Sequence, residues 1–243
     1  ILIYILIIFF TTSINAQVIL IDPGHGGEEC GAFILQKKTK VCEKDIALSI
    51  ATTLHSLLKD QYPTFLTRSI DRTLSLEERA LMAEKIQATL FISIHVNSHS
   101  SKKPQGFETF YLDNHKNAAV KKLEMIENKD LKGEKVIVNQ ILADLVIQRT
   151  APRSKKLARL VHKNLSNNLT KNYKMLDRGY KPALFYVLAL TKRPAILLEV
   201  GFISNTHDQA LLKNQNFQKD YAKKVYKGIL SFIKSEQKSK PLL

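Results

Sequence analysis

The chain has 243 residues, of which 44% are hydrophobic and 24% are charged, so it is long and apolar enough for one medium-sized domain with a buried core. Its formal net charge is +15 and its pI is near 9.7, values that also occur in nucleic-acid-binding proteins. Because the sequence contains neither a recognition-helix motif nor a basic motif interleaved with aromatic residues, we exclude nucleic acid as a partner.

The first ten residues, ILIYILIIFF, are apolar throughout, and the small residues of TTSINA follow them. This run is too short to span a bilayer and is typical of the hydrophobic region and cleavage site of a secretory signal. We therefore predict a signal peptide at residues 1–16 and a mature protein that begins near Gln17, outside the cytoplasm. Membrane contact is then expected only through the uncleaved signal peptide, and a retained membrane anchor is the alternative.

Strand-like and helical patterns alternate along the rest of the chain. Strands are predicted at 17–21, 64–67, 89–95, 106–112, 184–188 and 195–199, and helices at 43–60, 76–87, 117–127, 137–148, 152–171, 206–213 and 216–236. This order predicts an α/β fold with a mostly parallel or mixed central sheet flanked by helices on both faces. We expect one domain at residues 17–236, followed by a basic tail at 237–243.

Three predicted strands end in a side chain that can bind a metal or transfer a proton. The first strand leads through DPGHGG to His25, the 89–95 strand ends at His95 within SIHVNS, and the 195–199 strand ends at Glu199 within LLEVGFISN. Because the carboxyl ends of strands meet at one edge of an open α/β sheet, we expect these side chains to converge there. The pattern predicts a zinc hydrolase site.

A catalytic zinc ion binds three protein ligands and keeps a further position for water. The best third ligand is Glu43, which begins the predicted helix 43–60. A carboxylate in the first turn also stabilises a helix electrostatically, so the pattern alone leaves the role of Glu43 open. Two imidazoles and one carboxylate favour Zn²⁺, although intrinsic affinities permit other divalent metals. Glu199 is predicted to accept a proton from the attacking water, and a buried, paired carboxylate is the alternative.

The order of these motifs resembles the zinc-dependent N-acetylmuramoyl-L-alanine amidases of the amidase 3 type, most closely the periplasmic cell-division enzymes. The resemblance covers nearly all of residues 17–235 and rests on DPGHGG, EKDIAL, TRSIDRTLSLEERALMA, SIHVNS, GFETFYL, RGYKPALFYVL and PAILLEVGFISN. It implies that His25, Glu43 and His95 bind one zinc ion and that Glu199 is catalytic. It also implies a substrate, peptidoglycan, cleaved between N-acetylmuramic acid and L-alanine.

Residues 113–150 resemble the helical insertion of the cell-division amidases, in which a helix covers the active site. The resemblance implies that Glu127 occupies the open position on zinc until a periplasmic activator protein pulls the helix away. The alternative is that Glu127 faces solvent on a surface helix.

Other residues of the matched motifs are predicted to contact the substrate. Arg178 and Lys181, within RGYK, are expected to face the carboxylates of the stem peptide. The alternatives to an amidase are a zinc peptidase that acts on stem peptides and a non-catalytic peptidoglycan-binding module. A monomer is expected.

Loop residues are predicted to hold the site together. Cys30 and Cys42 flank a short insertion between His25 and Glu43 and are either a disulfide or free thiols. Arg68 and Arg79 are expected to tie loops together.

Overall fold

The computed structural model describes residues 17–36, 39–129 and 134–238. The predicted signal peptide and residues 239–243 of the predicted tail lie outside the described residues. Within the described part of the chain, no helix combines the length and apolar character needed to cross a membrane.

The first half of the chain forms an alternation of strands and helices. Its elements are β1 (Ile19–Pro23), β2 (Phe33–Gln36), β3 (Thr39–Cys42), α1 (Glu43–Leu58), β4 (Thr64–Leu66), α2 (Leu76–Lys85), β5 (Leu90–Asn97) and β6 (Phe107–Leu112). The second half is mostly helical. Its elements are α3 (Ala118–Glu127), α4 (Glu134–Tyr173), β7 (Asp177–Ala183), α5 (Tyr186–Leu190), β8 (Ala195–Phe202), α6 (Thr206–Leu212) and α7 (Gln215–Lys238).

The central sheet has six strands in the order β4-β1-β5-β8-β6-β7. Strands β4, β1, β5 and β8 are parallel to their neighbours, whereas β6 runs antiparallel to β8 and parallel to β7. The sheet is therefore mixed. Hairpin β2–β3 forms a separate two-stranded sheet.

Helices cover both faces of the central sheet. Because successive strand residues point to opposite faces, β1 contributes Ile19 and Ile21 to one core cluster and Leu20 to the other. Helices α1 and α7 pack in the first cluster, and α2 and α5 pack in the second. The predicted fold class is confirmed.

The prediction of two helices at 137–148 and 152–171 is wrong, because α4 runs unbroken through Pro152. A proline inside a helix removes one hydrogen bond and costs about 3 kcal/mol, so Pro152 locally disfavours a continuous helix. In the structure, the turns before Pro152 pack in the second core cluster through Val146, and the turns after it pack in the first through Leu157 and Val161. Packing on both sides therefore outweighs the local penalty.

The predicted strand at 184–188 is also wrong. The strand is β7, which ends at Ala183, and the apolar residues that follow form the short helix α5. A short apolar run fits a buried strand and a buried helical turn equally well. Strand β7 itself has the polar sequence DRGYKPA at the sheet edge, where proline is tolerated, and so gave no strand pattern. Hairpin β2–β3 was not predicted. The other predicted elements agree within three residues at each end.

Candidate metal centre

The three predicted strand ends converge in the structure. Strands β1, β5 and β8 are parallel neighbours, and His95 on β5 lies opposite Glu199 on β8 in the strand register. His25 follows β1 by two residues. All three side chains are buried, with Glu199 only 1% exposed. The carboxyl edge of the sheet thus gathers two imidazoles and a carboxylate.

The loop after β1 is shaped by the close approach of its backbone to the neighbouring strand. A Cβ atom on Gly24 would lie 2.5 Å from Cε1 of His95, so only glycine fits there. His25 itself has a φ of 55°, in the left-handed region that non-glycine residues seldom adopt. This conformation turns the imidazole toward β5.

Two buried arginines hold this loop, as predicted. Arg68 donates from Nη2 to the carbonyl oxygens of Gly24 at 2.7 Å and Lys44 at 2.9 Å. Arg79 forms an ion pair with Asp22 and donates from Nη2 to the carbonyl oxygen of His25 at 2.9 Å. The arginines therefore fix the first imidazole relative to the start of α1.

Glu43 lies between the two imidazoles. Its Oε2 is 3.2 Å from Nε2 of His25, and its Oε1 is 3.1 Å from Nδ1 of His95. The same two oxygens accept hydrogen bonds from the backbone N–H groups of Ala32 and Val96, each at 2.7 Å. These bonds fix the carboxylate, so both of its oxygens stay beside the imidazole nitrogens.

Glu127, at the end of α3, reaches the same point. Its Oε2 lies 3.2 Å from Nδ1 of His95 and 3.9 Å from Nε2 of His25. One ligand atom from each of His25, His95 and Glu127 lies within 4.8 Å of the other two. The side chain is 11% exposed, so the alternative of a solvent-facing Glu127 is wrong.

The side chains fit a metal cation. Nε2 of His25 and Nδ1 of His95 are buried and, although a Glu43 oxygen lies close to each, neither nitrogen forms a hydrogen bond. Leaving a buried polar atom unsatisfied costs roughly 1–3 kcal/mol. A cation among these nitrogens and the Glu43 carboxylate would satisfy both, and two histidines with one carboxylate are a common set of catalytic zinc ligands.

The electrostatics also favour positive charge at this point. Burial opposes charging of His25, but the Glu43 and Glu29 carboxylates raise its pKa to about 11. Burial likewise disfavours the Glu43 carboxylate, yet His25 and His95 lower its pKa below the ordinary value. Positive charge on or between the imidazoles thus compensates the buried Glu43 carboxylate.

Glu29 supports the first imidazole from outside the ligand set. Its Oε2 lies 3.3 Å from Nδ1 of His25, and its other oxygen pairs with Lys129, just beyond α3. The hydrogen bond with His25 lowers the pKa of Glu29 to about 2. This role was not predicted from the sequence.

Cys30 and Cys42 form a disulfide with a Cα–Cα distance of 5.1 Å. The bond closes the base of hairpin β2–β3, and Cys42 directly precedes Glu43 at the start of α1. Of the two alternatives left open by the sequence, the structure contains the disulfide. It connects the loop that follows His25 to the helix that begins with Glu43.

Glu199 has no hydrogen-bond partner for its buried Oε2. Burial, followed by the negative charges of Glu43 and Glu127, raises its pKa well above the ordinary value. A carboxyl group with a raised pKa beside a candidate metal centre is suited to accept a proton and hold it.

Arg178 and Lys181 lie on β7, on a separate wall of the site. Both bind Glu108 of β6: the Lys181 Nζ to Glu108 Oε2 distance is 2.7 Å, and Arg178 pairs through Nε. Glu108 is buried and lies opposite Glu199 in the antiparallel β6–β8 register. Sequence analysis missed Glu108, which the alternation in GFETFYL places on the face shared with Glu199.

Helix α3 covers this end of the sheet and borders two cavities. One, of about 430 Å³, reaches His25 and Glu43 between α3 and hairpin β2–β3. The other, of about 370 Å³, lies between α3 and the wall formed by Arg178 and Lys181. Asn128 anchors the end of α3, since its amide donates to the carbonyl oxygen of Leu184 and its Oδ1 accepts from the backbone N–H of Tyr186, each at 2.9 Å.

Comparisons with known proteins agree with this geometry. The family model described as N-acetylmuramoyl-L-alanine amidase matches residues 19–231. The chain is 34% identical over 226 residues to N-acetylmuramoyl-L-alanine amidase AmiC of Escherichia coli, covering 89% of this chain and 52% of that protein. It therefore spans about half the length of that relative.

Solved structures show the same similarity. An N-acetylmuramoyl-L-alanine amidase from Clostridium difficile 630 is 28% identical, with a TM-score of 0.69 over 91% of this chain and 99% of that one. The CwlD amidase from Clostridioides difficile, solved in complex with the GerS lipoprotein, is 25% identical with a TM-score of 0.69, over 90% of this chain and 99% of that one.

Proposed function

Because the chain belongs to the N-acetylmuramoyl-L-alanine amidase family, we propose that it hydrolyses the amide bond between N-acetylmuramic acid and L-alanine in peptidoglycan. Such cleavage separates stem peptides from glycan strands and serves cell-wall remodelling and daughter-cell separation. One observation carries the proposal: the buried side chains of His25, Glu43 and His95 contact one another beside Glu199, at the carboxyl edge of the sheet.

We assign the metal to one Zn²⁺ ion held by His25, Glu43 and His95. When bound, zinc supplies a Lewis acid that polarises the scissile carbonyl and lowers the pKa of water. The chain keeps the three ligands in place through the Glu43 hydrogen bonds to Ala32 and Val96 and through the contact of Glu29 with His25.

Glu199 transfers the proton in this mechanism. Its carboxylate accepts a proton from the water that attacks the carbonyl carbon, and the raised pKa favours holding that proton. The same proton then passes to the amide nitrogen as the C–N bond breaks, since an amine leaves poorly without it. The products are a lactyl carboxylate on the glycan and a peptide with a free L-alanine amino group.

Arg178 and Lys181 form the subsite for stem-peptide carboxylates. Two cations on one buried anion, Glu108, leave a local charge of about +1 at the wall of the 370 Å³ cavity. Arg178 also lies 5.2 Å from the centre of the Phe202 ring, which restricts its guanidinium. A carboxylate that enters the cavity therefore meets donors that are already oriented.

Glu127 keeps the resting enzyme inhibited, in our proposal. Its carboxylate lies where the water and scissile carbonyl must approach, 3.2 Å from a ligand atom of His95. An activator protein of the periplasm would act on the insertion near residues 113–150 and withdraw α3. One similar amidase is known in complex with a lipoprotein, which supports a protein partner for this chain.

The proposed location is the periplasm or cell envelope, with residues 1–16 as the signal peptide and 237–243 as a tail after the catalytic domain at 17–236. The Cys30–Cys42 disulfide supports this location, because disulfides persist in oxidising compartments and are rare in the cytosol.

Zinc binding and hydrolysis, measured on the same variants, test the site. We expect one zinc per chain, no stoichiometric zinc in His95→Ala, and full zinc without hydrolysis in Glu199→Gln. His207→Ala, at a half-exposed histidine away from the metal centre, is the matched control and should retain both properties. Stoichiometric zinc in His95→Ala, or turnover by Glu199→Gln, would refute the assignment.

A further inference from the structure

A basic cavity lies at the edge of the sheet opposite the metal centre. It measures about 260 Å³ and is lined by four basic side chains, Arg149, Arg153, Lys192 and Arg193, together with Thr89 and Pro194 and neighbouring polar groups. Thr89 directly precedes β5 and Pro194 directly precedes β8, so the cavity lies at the amino ends of these strands. A strand of 8 residues separates the two edges, roughly 25 Å at about 3.3 Å per residue.

The cavity carries excess positive charge. No aspartate or glutamate lines it. Arg153 pairs with Glu236 of α7 at 2.8 Å, but the same carboxylate also binds Lys156 at 2.8 Å. Arg149, Lys192 and Arg193 form no ion pair with any residue that the structure describes. At least three positive charges therefore face one opening without a counter-charge.

One of these cations has an unsatisfied donor inside the protein. The Nε of Arg193 is buried and has no hydrogen-bond partner. A buried guanidinium N–H without an acceptor is unfavourable, so such groups normally have one. The adjacent Lys192 has a φ of 55°, in a turn position where glycine or asparagine is usual. The turn before β8 thus presents two consecutive basic residues, the first of them in a conformation that lysine does not favour.

We propose that this basic cavity binds a phosphate group, carried by an anionic lipid headgroup or free in solution. Arginine guanidinium groups bind phosphate oxygens through paired hydrogen bonds, and the cavity offers three arginines from two elements. A phosphate there would supply the acceptor that Arg193 lacks. Bound to headgroups by this edge, the protein would present its metal centre away from the lipid surface.

Two binding experiments with matched variants test the site. The probes are inorganic phosphate, measured by calorimetry at low salt, and sedimentation with phosphatidylglycerol or phosphatidylcholine vesicles. The site variant is Arg149→Gln with Lys192→Gln, two exposed residues of the cavity. The control is Lys163→Gln with Lys227→Gln, two exposed lysines elsewhere that remove the same charge. Arg193→Gln is a second site variant, and unchanged unfolding temperatures confirm folding.

We expect the site variants to weaken binding roughly tenfold or more and the control to stay within about twofold of the parent protein. If the site variants lose binding only to phosphatidylglycerol vesicles, the ligand is a lipid headgroup. If they also lose binding to inorganic phosphate, the cavity accepts any phosphate group. Equal loss in site and control variants would show attraction to net charge alone and overturn the proposal. Absence of binding to both probes by the parent protein would overturn it too.

Discussion

At the scale of single residues, Glu199 combines burial with an oxygen that lacks a partner. Its folded-state pKa is raised, so the folded protein holds a proton at pH values where the unfolded chain has released it. Stability from this group is therefore present below its ordinary pKa of 4.5 and is lost as pH rises toward the folded pKa. The ionised carboxylate that catalysis requires thus lowers the stability of the folded protein.

Glu199→Gln is expected to stabilise the metal-free protein at neutral pH, by an amount on the order of 1–3 kcal/mol. This difference in stability should shrink as the pH falls and vanish below 4.5, where the wild-type carboxyl is protonated in both states. Urea unfolding in chelator at several pH values measures it. Glu84→Gln, at an exposed carboxylate, is the control and should change little. A less stable Glu199→Gln at neutral pH would contradict this account of the site.

Glu108 is expected to act by positioning Arg178 and Lys181. Replacing it with Gln removes the anion that both cations share, so the subsite loses its orientation while the metal ligands are untouched. We predict a several-fold rise in KM for stem-peptide substrates, a smaller change in kcat, and unchanged zinc content. Glu108→Asp keeps the negative charge, so its KM should lie between those of Glu108→Gln and the wild type. If zinc content fell with activity, Glu108 would instead be a structural support of the metal centre.

Sequence patterns located the residues that end strands but not Glu108 and Glu29, which act through other residues. His25, His95 and Glu199 follow apolar runs, so their convergence could be predicted from the parallel alternation. Glu108 was missed because its partners come from β7, a polar edge strand that lacks a strand pattern. Glu29 was missed because its contact depends on the left-handed turn at His25, a conformation that no sequence pattern specified.

At the scale of elements, α3 has two sets of contacts with different consequences. Glu127 reaches the proposed metal ligands, whereas Asn128 ties the helix end to the start of α5. The exposed Met125 and Ile126 on the same helix contribute little to the core, with Met125 75% exposed. The helix is also held by buried Val120 in the second core cluster, so loosening its last turn is expected to move Glu127 without unfolding α3.

Glu127→Ala is predicted to raise basal hydrolysis roughly tenfold or more, because the competing carboxylate is removed from the metal centre. Asn128→Ala should act in the same direction by loosening the helix end. Initial rates on purified peptidoglycan without any activator measure both, with Met125→Ala as the control on the same helix. Basal rates equal to wild type in Glu127→Ala would exclude autoinhibition by this residue.

At the scale of the whole molecule, the sheet separates two kinds of surface. Its carboxyl edge holds the buried site of imidazoles and carboxylates, and its amino edge holds the basic cavity. The α/β class followed from the alternation of patterns, but the strand order did not. Strand β8, the last in the chain, lies between β5 and β6, and only this insertion brings Glu199 beside both His95 and Glu108. That crossover depends on long-range packing, which local patterns do not contain.

The central claim is the bond that is cleaved, and end-group analysis of products tests it most directly. Zinc-loaded protein is incubated with purified peptidoglycan, with chelator and Glu199→Gln samples beside it, and the new amino termini are identified. We predict released peptides that begin with L-alanine, formed only in the zinc-loaded wild type and in larger amounts with Glu127→Ala. New amino termini within the stem peptide would identify a zinc peptidase, and no new termini even with Glu127→Ala would identify a wall-binding protein without catalysis.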